Sequence, residues 1–267
     1  MLYNLKLNFL QLQTFWQLMI RSFVVYKPHF KDKTINALTW TTLNVAVVAF
    51  IMPTVGLYNF GPFSLIGITA SNSFFTAANQ ISGLISEIEG DTSNLKYELT
   101  LPIPQWLALA KYAFEYAYQG FISSLMIVPI GLVLLFREFQ FQNFFIIKFH
   151  CILLLISIFS GFFALWMSNF VKDMFHGIEN MWSRIIFPLW FLGGFQFSWQ
   201  GLYSISPVLA YINLLNPLTY AMEGARACTL NPALSLPYWN CVFALVGFTI
   251  IFGYLGIRNL KRRLDCL

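Results

Sequence analysis

The sequence predicts an all-α polytopic membrane protein: an amphipathic interface helix, six transmembrane helices, and re-entrant half-helices between the fifth and sixth. Three observations predict this class. Only 10% of the 267 residues are charged and 58% are hydrophobic, where soluble domains carry about 25% charged residues. The apolar runs reach the roughly 20 residues that a helix needs to cross a bilayer. Basic residues sit beside those runs, as membrane orientation requires. A net charge of +5 placed in this way does not suggest nucleic acid; the partners it suggests are membrane lipids. The cysteines Cys151, Cys228, Cys241 and Cys266 have no C-x-x-C spacing and read as apolar thiols, not as a disulfide framework. The whole chain, 1–267, reads as one transmembrane domain.

Residues 1–35 carry Leu5, Phe9, Leu12, Trp16, Met19 and Phe23 at steps of three and four, with Asn4, Asn8, Gln11, Thr14, Gln17 and Arg21 off that stripe. This is the period of an amphipathic helix lying in the membrane interface, packed on the protein's own surface, or both. No compact apolar core leads to a cleavage site, so the segment does not read as a signal peptide. Lys27, Pro28, Lys31 and Lys33 end it. The first span is expected over about 36–57 and the second over about 62–85. The second has no charge but holds Thr69, Ser71, Asn72, Ser73, Thr76, Asn79 and Gln80. Such side chains are costly against lipid and turn to other helices or to a wet cavity.

Residues 86–105 form a polar loop. Glu87, Glu89, Asp91 and Glu98 are four of the chain's 11 acids. Asp91, Thr92 or Ser93 can cap a short helix by accepting from its first N–H groups. Leu95, Tyr97, Leu99 and Leu101 give it an apolar side, with Lys96 among them, and Pro102 and Pro104 stop it. The segment is either a solvated turn or a place where a soluble partner grips the protein, and the local sequence leaves both open.

The third span is expected over about 106–136, with Lys111 and Glu115 one turn apart and able to pair. The fourth is expected over about 144–170, the fifth over 184–197 and the sixth over 238–256. Between the last two, residues 198–237 are apolar but broken by Pro207, Pro217, Pro232 and Pro237. Asn216 followed by Pro217 is a cap with proline at the first helical position. A helix from Pro217 to about Ala227 places Tyr220, Glu223 and Arg226 on it, the last two on one side. The segment reads as a re-entrant pair of half-helices, tolerated at membrane depth where protein or water covers it. Each charge would be costly alone, so Glu223 and Arg226 are expected to pair with each other or with a neighbouring half-helix. A double charge swap should then restore part of what either single reversal loses.

With six crossings both termini share one side. That side holds 13 of the 16 lysines and arginines, leaving Arg137, Lys148 and Arg226 opposite. The imbalance puts both termini and the 86–105 loop in the cytoplasm. A seventh crossing through 198–237 would put the basic C-terminus outside.

Catalytic patterns are missing from the sequence. There is no G-x-x-x-x-G-K-S/T phosphate loop, no H-E-x-x-H and no G-x-S-x-G. No span carries carboxylates spaced as a proton relay. His176 and Glu179 could share a metal but read as a solvated loop pair, so neither a catalytic residue nor a metal site is assigned. Trp190, Phe191, Phe195, Phe197, Trp199 and Tyr203 fit an interfacial aromatic belt better than the lining of a route. An integral membrane enzyme acting on a lipid-linked substrate and a non-transporting assembly factor remain alternatives to a transporter.

These pieces, in this order, resemble the membrane subunit of the ABC-2 family of ABC exporters. The likeness runs over essentially the whole chain. Leu99–Pro104, LTLPIP, looks like the end of the family's loop between spans two and three. Phe191–Phe197, FLGGFQF, is similar to its small-residue turn after span five. Leu215–Arg226, LNPLTYAMEGAR, looks like its Asn-Pro motif before span six. Where the family has a basic residue and Gly-Thr ahead of the short helix, this chain has Glu87, Glu89 and Gly90-Asp91-Thr92. The resemblance implies an exporter permease in the cytoplasmic (inner) membrane, working with a second permease copy, identical or paralogous. It implies a separate cytoplasmic ATPase that carries the ATP and Mg, with no cofactor in this chain. It also implies that the ATPase grips the coupling helix, here about 91–104, and that substrates range from lipid-linked polysaccharides to drugs and lipo-oligosaccharides.

Overall fold

The computed structural model describes residues 2–51, 60–90, 94–136, 144–171 and 176–265. Among them there is no strand. Helix α1 spans Leu2–Tyr26 and yields to a 3-10 turn over Lys27–His29, with Pro28 in its first positions. Helix α2, Phe30–Ala46, follows without a break and continues through a π turn, Val47–Ile51. It starts six residues ahead of the expected first span, because the lysines around Pro28 do not interrupt a helix once the proline has been passed. Helix α3 spans Gly61–Glu89, with Pro62 in its first turn.

Helix α4 is the short Asn94–Leu99, and α5 runs Gln105–Leu134 from Pro104, with Pro129 inside it. Helix α6 spans Ile146–Met167. Helices α7, His176–Met181, and α8, Phe187–Leu192, are one continuous helical path joined by a π turn over Trp182–Ile186. This path starts eight residues before the expected fifth span and ends five before it. No proline stands between His176 and Arg184, and Gly177 falls in the first turn of the path, whereas Gly193 and Gly194 stop the helix early. Gly194 has φ +85°, a left-handed conformation that favours glycine. Three short helices follow: α9, Trp199–Ile205; α10, Pro207–Asn213; and α11, Pro217–Ala227. The last helix, α12, spans Tyr238–Asp265.

Helices α5, α6 and α12 are long and apolar enough to cross a membrane. The core is built on α6, which packs between α5 and α12 and also meets α3 and α11. Gly161 of α6 marks a close backbone approach, since an added Cβ would overlap the Ala113 carbonyl oxygen of α5. Helix α3 is as long as these but more polar, and it hides that polarity. Ser64, Thr69, Ser71 and Ser73 are buried, and Asn72 donates to Ser123 and Ser124 of α5 at 2.9 and 3.1 Å.

Polar contacts sort the chain between the two ends of the bundle. At one end Arg263 of α12 donates to the carbonyls of Ser168 and Val171 after α6, at 2.8 and 2.9 Å, and pairs with Glu89 of α3 at 3.3 Å. Arg21 of α1 reaches Asn94 of α4 there as well, at 2.9 Å. At the other end Phe145 N donates to the Cys228 carbonyl at 2.8 Å, and Tyr238 OH to the Lys148 carbonyl at 3.0 Å.

Candidate functional site

Helix α11 is anchored before it begins. Asn216 Oδ1 accepts from Leu218 N at 3.0 Å, while its Nδ2 donates to the Leu189 carbonyl of α8 at 2.7 Å. Pro217 is buried and Tyr220, half-buried, meets Phe248 of α12 with ring centroids 6.1 Å apart. Glu223 and Arg226 form the expected ion pair at 3.5 Å, and their side chains are 0% and 1% exposed. The arginine makes shorter bonds elsewhere. It donates to the carbonyls of Gly194 at 2.6 Å, Phe195 at 3.0 Å and Phe197 at 3.3 Å, and its guanidinium lies 3.4 Å from the centre of the Phe63 ring.

A planar fork of five donors suits such a cluster of carbonyls, which lie in the turn beyond α8. Glu223 faces the opposite polarity, accepting from Trp199 N at 3.2 Å and Leu236 N at 3.1 Å. This arrangement weighs against the expected charge swap. A glutamate at 226 would point at three carbonyls and an arginine at 223 at two N–H groups, so a double swap is expected to restore little.

Helix α4 packs on α3 and α5 with its residues divided by face. Leu95 and Glu98 are buried, Leu99 is half-buried, and Lys96 and Tyr97 point outward, Tyr97 at 58% exposure. Glu98 accepts from Lys111 of α5 at 2.9 and 3.2 Å. Lys111 also pairs with Glu115 at 3.2 Å, the pairing expected from their spacing. Ser22 of α1 donates to Glu115 at 2.9 Å. Gln119 Nε2 donates to Glu115 at 3.5 Å, and its Oε1 accepts from Lys33 of α2 at 3.1 Å and Gln80 of α3 at 2.8 Å.

Asp91 and Thr92 lie outside the described residues. Among the described ones, the Glu87 carboxylate serves the start of α4, accepting from Leu95 N and from Asn94 Nδ2, both at 3.2 Å. Pro102 is exposed and the half-buried Pro104 caps α5, with Ile103 between them buried against Leu18 and Ala108. This stretch reverses the chain so that Glu98 meets Lys111. The sequence reading passed over that pair. The signal available was an acid and a base 13 residues apart on either side of a two-proline turn.

A groove opens between α2, α3 and the α7–α8 path. Its polar end, about 430 Å³, is floored by Asn72, Thr76, Asn79 and Gln80 of α3 and walled by Phe75, Trp182 and Phe187. Lys33 and Asn36 of α2 complete that end. Its other end, about 490 Å³, is lined by Leu43, Val47, Val48, Phe60 and Phe195, with Asn44, Ser64 and Gln196 among them. Trp40 borders both ends. The residues assigned to an aromatic belt divide here. Trp190 and Phe195 are 8% and 6% exposed and pack together at 4.5 Å, and the Trp190 indole donates to Ser71 at 2.8 Å. Trp199, Tyr203 and Tyr211 form a second cluster on α9 and α10. Among the described residues no three His, Cys, Asp or Glu side chains gather as a metal site.

Three helices long and apolar enough to cross a membrane, with polar groups gathered in a buried clamp and a charge cluster between helices, make this a helical membrane protein. The chain belongs to the ABC-2 type transporter family, whose model matches residues 12–230. It is the permease component of an ABC transporter, which implies an ABC ATPase component as partner. A search of curated protein sequences finds no match.

Proposed function

We propose that the chain is the permease subunit of an exporter that moves a lipid-linked, glycan or amphipathic substrate out across the inner membrane. A separate cytoplasmic ATPase, which holds the ATP and Mg, drives it by pressing on α4. Two permease copies, identical or paralogous, form the transport unit. The six crossings are α2 with its π turn, α3, α5, α6, the α7–α8 path and α12. Helices α9–α11 make the re-entrant segment, and both termini are cytoplasmic. Family membership favours transport over a membrane enzyme.

The observation that carries this reading is the two-faced α4. Its inner face is fixed to α5 through Glu98 and Lys111, and its outer face presents Tyr97 at 58% exposure. A rigidly held helix with an exposed aromatic is what a partner groove can grip and push, since aromatic anchors dominate docking energies. Of the residues expected to couple, Tyr97 and Lys96 stand at the contact, while Leu95, Leu99, Pro102 and Pro104 hold α4 in place. The experiment is pull-down of a co-expressed ABC ATPase from the same genome by wild type and Tyr97→Ala at equal membrane expression. Tyr97→Ala is expected to reduce capture about tenfold or more, as loss of a hot-spot aromatic does. Undiminished capture would place the ATPase elsewhere.

A further inference from the structure

We infer that a polar pocket between α1, α3, α4 and α5 binds the zwitterionic headgroup of phosphatidylethanolamine from the leaflet beside α1. The pocket holds about 250 Å³. That is less than the roughly 300–1,000 Å³ of drug-sized sites, so it takes a headgroup and leaves the acyl chains outside. The inference needs the chain to lie in a membrane with α1 at its surface. It needs neither the ATPase contact nor a direction of transport.

Two lining charges of opposite sign are held apart in this pocket. Arg21 of α1 donates to Asn94 Oδ1 at 2.9 Å, and Asn94 Nδ2 donates to the Glu87 carboxylate of α3 at 3.2 Å. One neutral amide thus stands between guanidinium and carboxylate, and neither forms an ion pair among the described residues. Lys111, the other lining cation, is already shared by Glu98 and Glu115 at 2.9 and 3.2 Å. Three carboxylates therefore face two cations in the lining. A ligand with a cation for Glu87 and an anion for Arg21, joined by a short spacer, meets both at once.

Ethanolamine phosphate is such a ligand, with two carbons between its phosphate and an ammonium that carries N–H donors. Guanidinium grips phosphate through two parallel bonds, and charge-assisted bonds are roughly twice as strong as neutral ones. A choline headgroup has the same charges but no N–H to give to Glu87. A glycerol headgroup brings Glu87 no cation, and a serine headgroup adds a carboxylate where acid is already in excess. The lining also says why the headgroup belongs to a lipid. Val25 borders the pocket and is exposed, as are Val24 and Ile20 beside it on α1, so acyl chains leaving the pocket follow an apolar face. On the α3 side Gly83 leaves the wall open, since an added Cβ there meets nothing within 4 Å.

The test is native mass spectrometry of the full chain released from detergent micelles, with dioleoyl lipids added one at a time. Phosphatidylethanolamine should be retained at a concentration about tenfold lower than phosphatidylcholine or phosphatidylglycerol, the discrimination given by one charge-assisted hydrogen bond. Its N-methyl and N,N-dimethyl derivatives should fall between in that order, a series that needs no change to the protein. Arg21→Gln should weaken the ethanolamine and glycerol lipids alike. Glu87→Gln, whose amide oxygen still accepts from Leu95 N, should remove the preference between them. Gly83→Leu fills the opening without touching a charge, and should weaken retention several-fold without lowering the unfolding temperature of the lipid-free protein. Equal retention of phosphatidylethanolamine and phosphatidylcholine, stronger retention of phosphatidylglycerol, or unchanged retention by Gly83→Leu would each overturn the inference. Displacement by soluble glycerophosphoethanolamine at a concentration equal to the lipid's would overturn the lipid as occupant. ATPase is absent from this measurement, so it and capture by Tyr97→Ala can fail independently.

Discussion

At the scale of single residues, Arg226 does the most. It is 1% exposed, it joins α11 to the turn after α8, and its charge is shared between one carboxylate and three carbonyls. Removing one member of a buried, bonded pair costs about 3–5 kcal/mol, because the other is left uncompensated. Arg226→Ala should therefore lower the unfolding temperature of the detergent-solubilised protein sharply. Arg226→Lys should recover little, because an ammonium cannot hold a fork of carbonyls and the Phe63 face together. A lysine variant as stable as the parent would show that charge alone matters there. The helix, its cap and the Glu223 pairing were legible in the sequence, since cap, proline and spacing are local. The carbonyl partners were not, because a backbone oxygen leaves no mark on which residue carries it.

Among the elements, the contact of α5 with α6 sets the tightest limit. Gly161→Ala would drive a methyl group into the Ala113 backbone, and overpacking of this kind costs about 1–3 kcal/mol. Gly247→Ala on α12 meets nothing within 4 Å and should gain about 0.5–1 kcal/mol of helix propensity. Thermal unfolding of the two variants should shift in opposite directions, and a shared direction would count against the close packing. Element ends were legible at Pro62, Pro104 and Pro217, but not at Gly193 and Gly194, which the expected fifth span ran through. The start of α7 was not, because the polar residues after His176 suggest a loop while nothing in them forbids a helix. The inward turn of Glu98 was hidden for a different reason: its partner lies on another helix.

For the whole molecule, hydropathy picks out three helices among the described residues that are long and apolar enough to cross, α5, α6 and α12, and the proposed topology needs six. The difference in α3 is that Asn72, Thr76 and Gln80 bond inside the bundle, to Ser123, Ser124 and Gln119, so its composition understates how well it suits a membrane. The end of the bundle that gathers α4, Glu89 and Arg263 is the basic one, and Lys148 and Arg226 sit at the other. By the positive-inside rule the first end is the one proposed to be cytoplasmic. With Cys151 and Cys266 replaced by serine, cysteines at Lys96 and Lys261 should resist an impermeant reagent added outside intact cells, and one at Ser204 should react. Outside labelling at Lys261 would overturn the orientation.

The Arg226 clamp also bears on how the family can diverge. Its grip on the turn after α8 runs through the oxygens of Gly194, Phe195 and Phe197, and every amino acid supplies that oxygen. Substitution at Phe197 or Gln196 therefore leaves the clamp whole, whereas Gly194, with φ +85°, is held by its backbone shape. In a saturation library scored for folded protein, tolerance should alternate along this turn: narrow at Gly194, broad at Gln196 and Phe197, and nearly nil at Arg226. Lineages can thus rewrite the outer surface of the turn while the joint beneath it stays fixed.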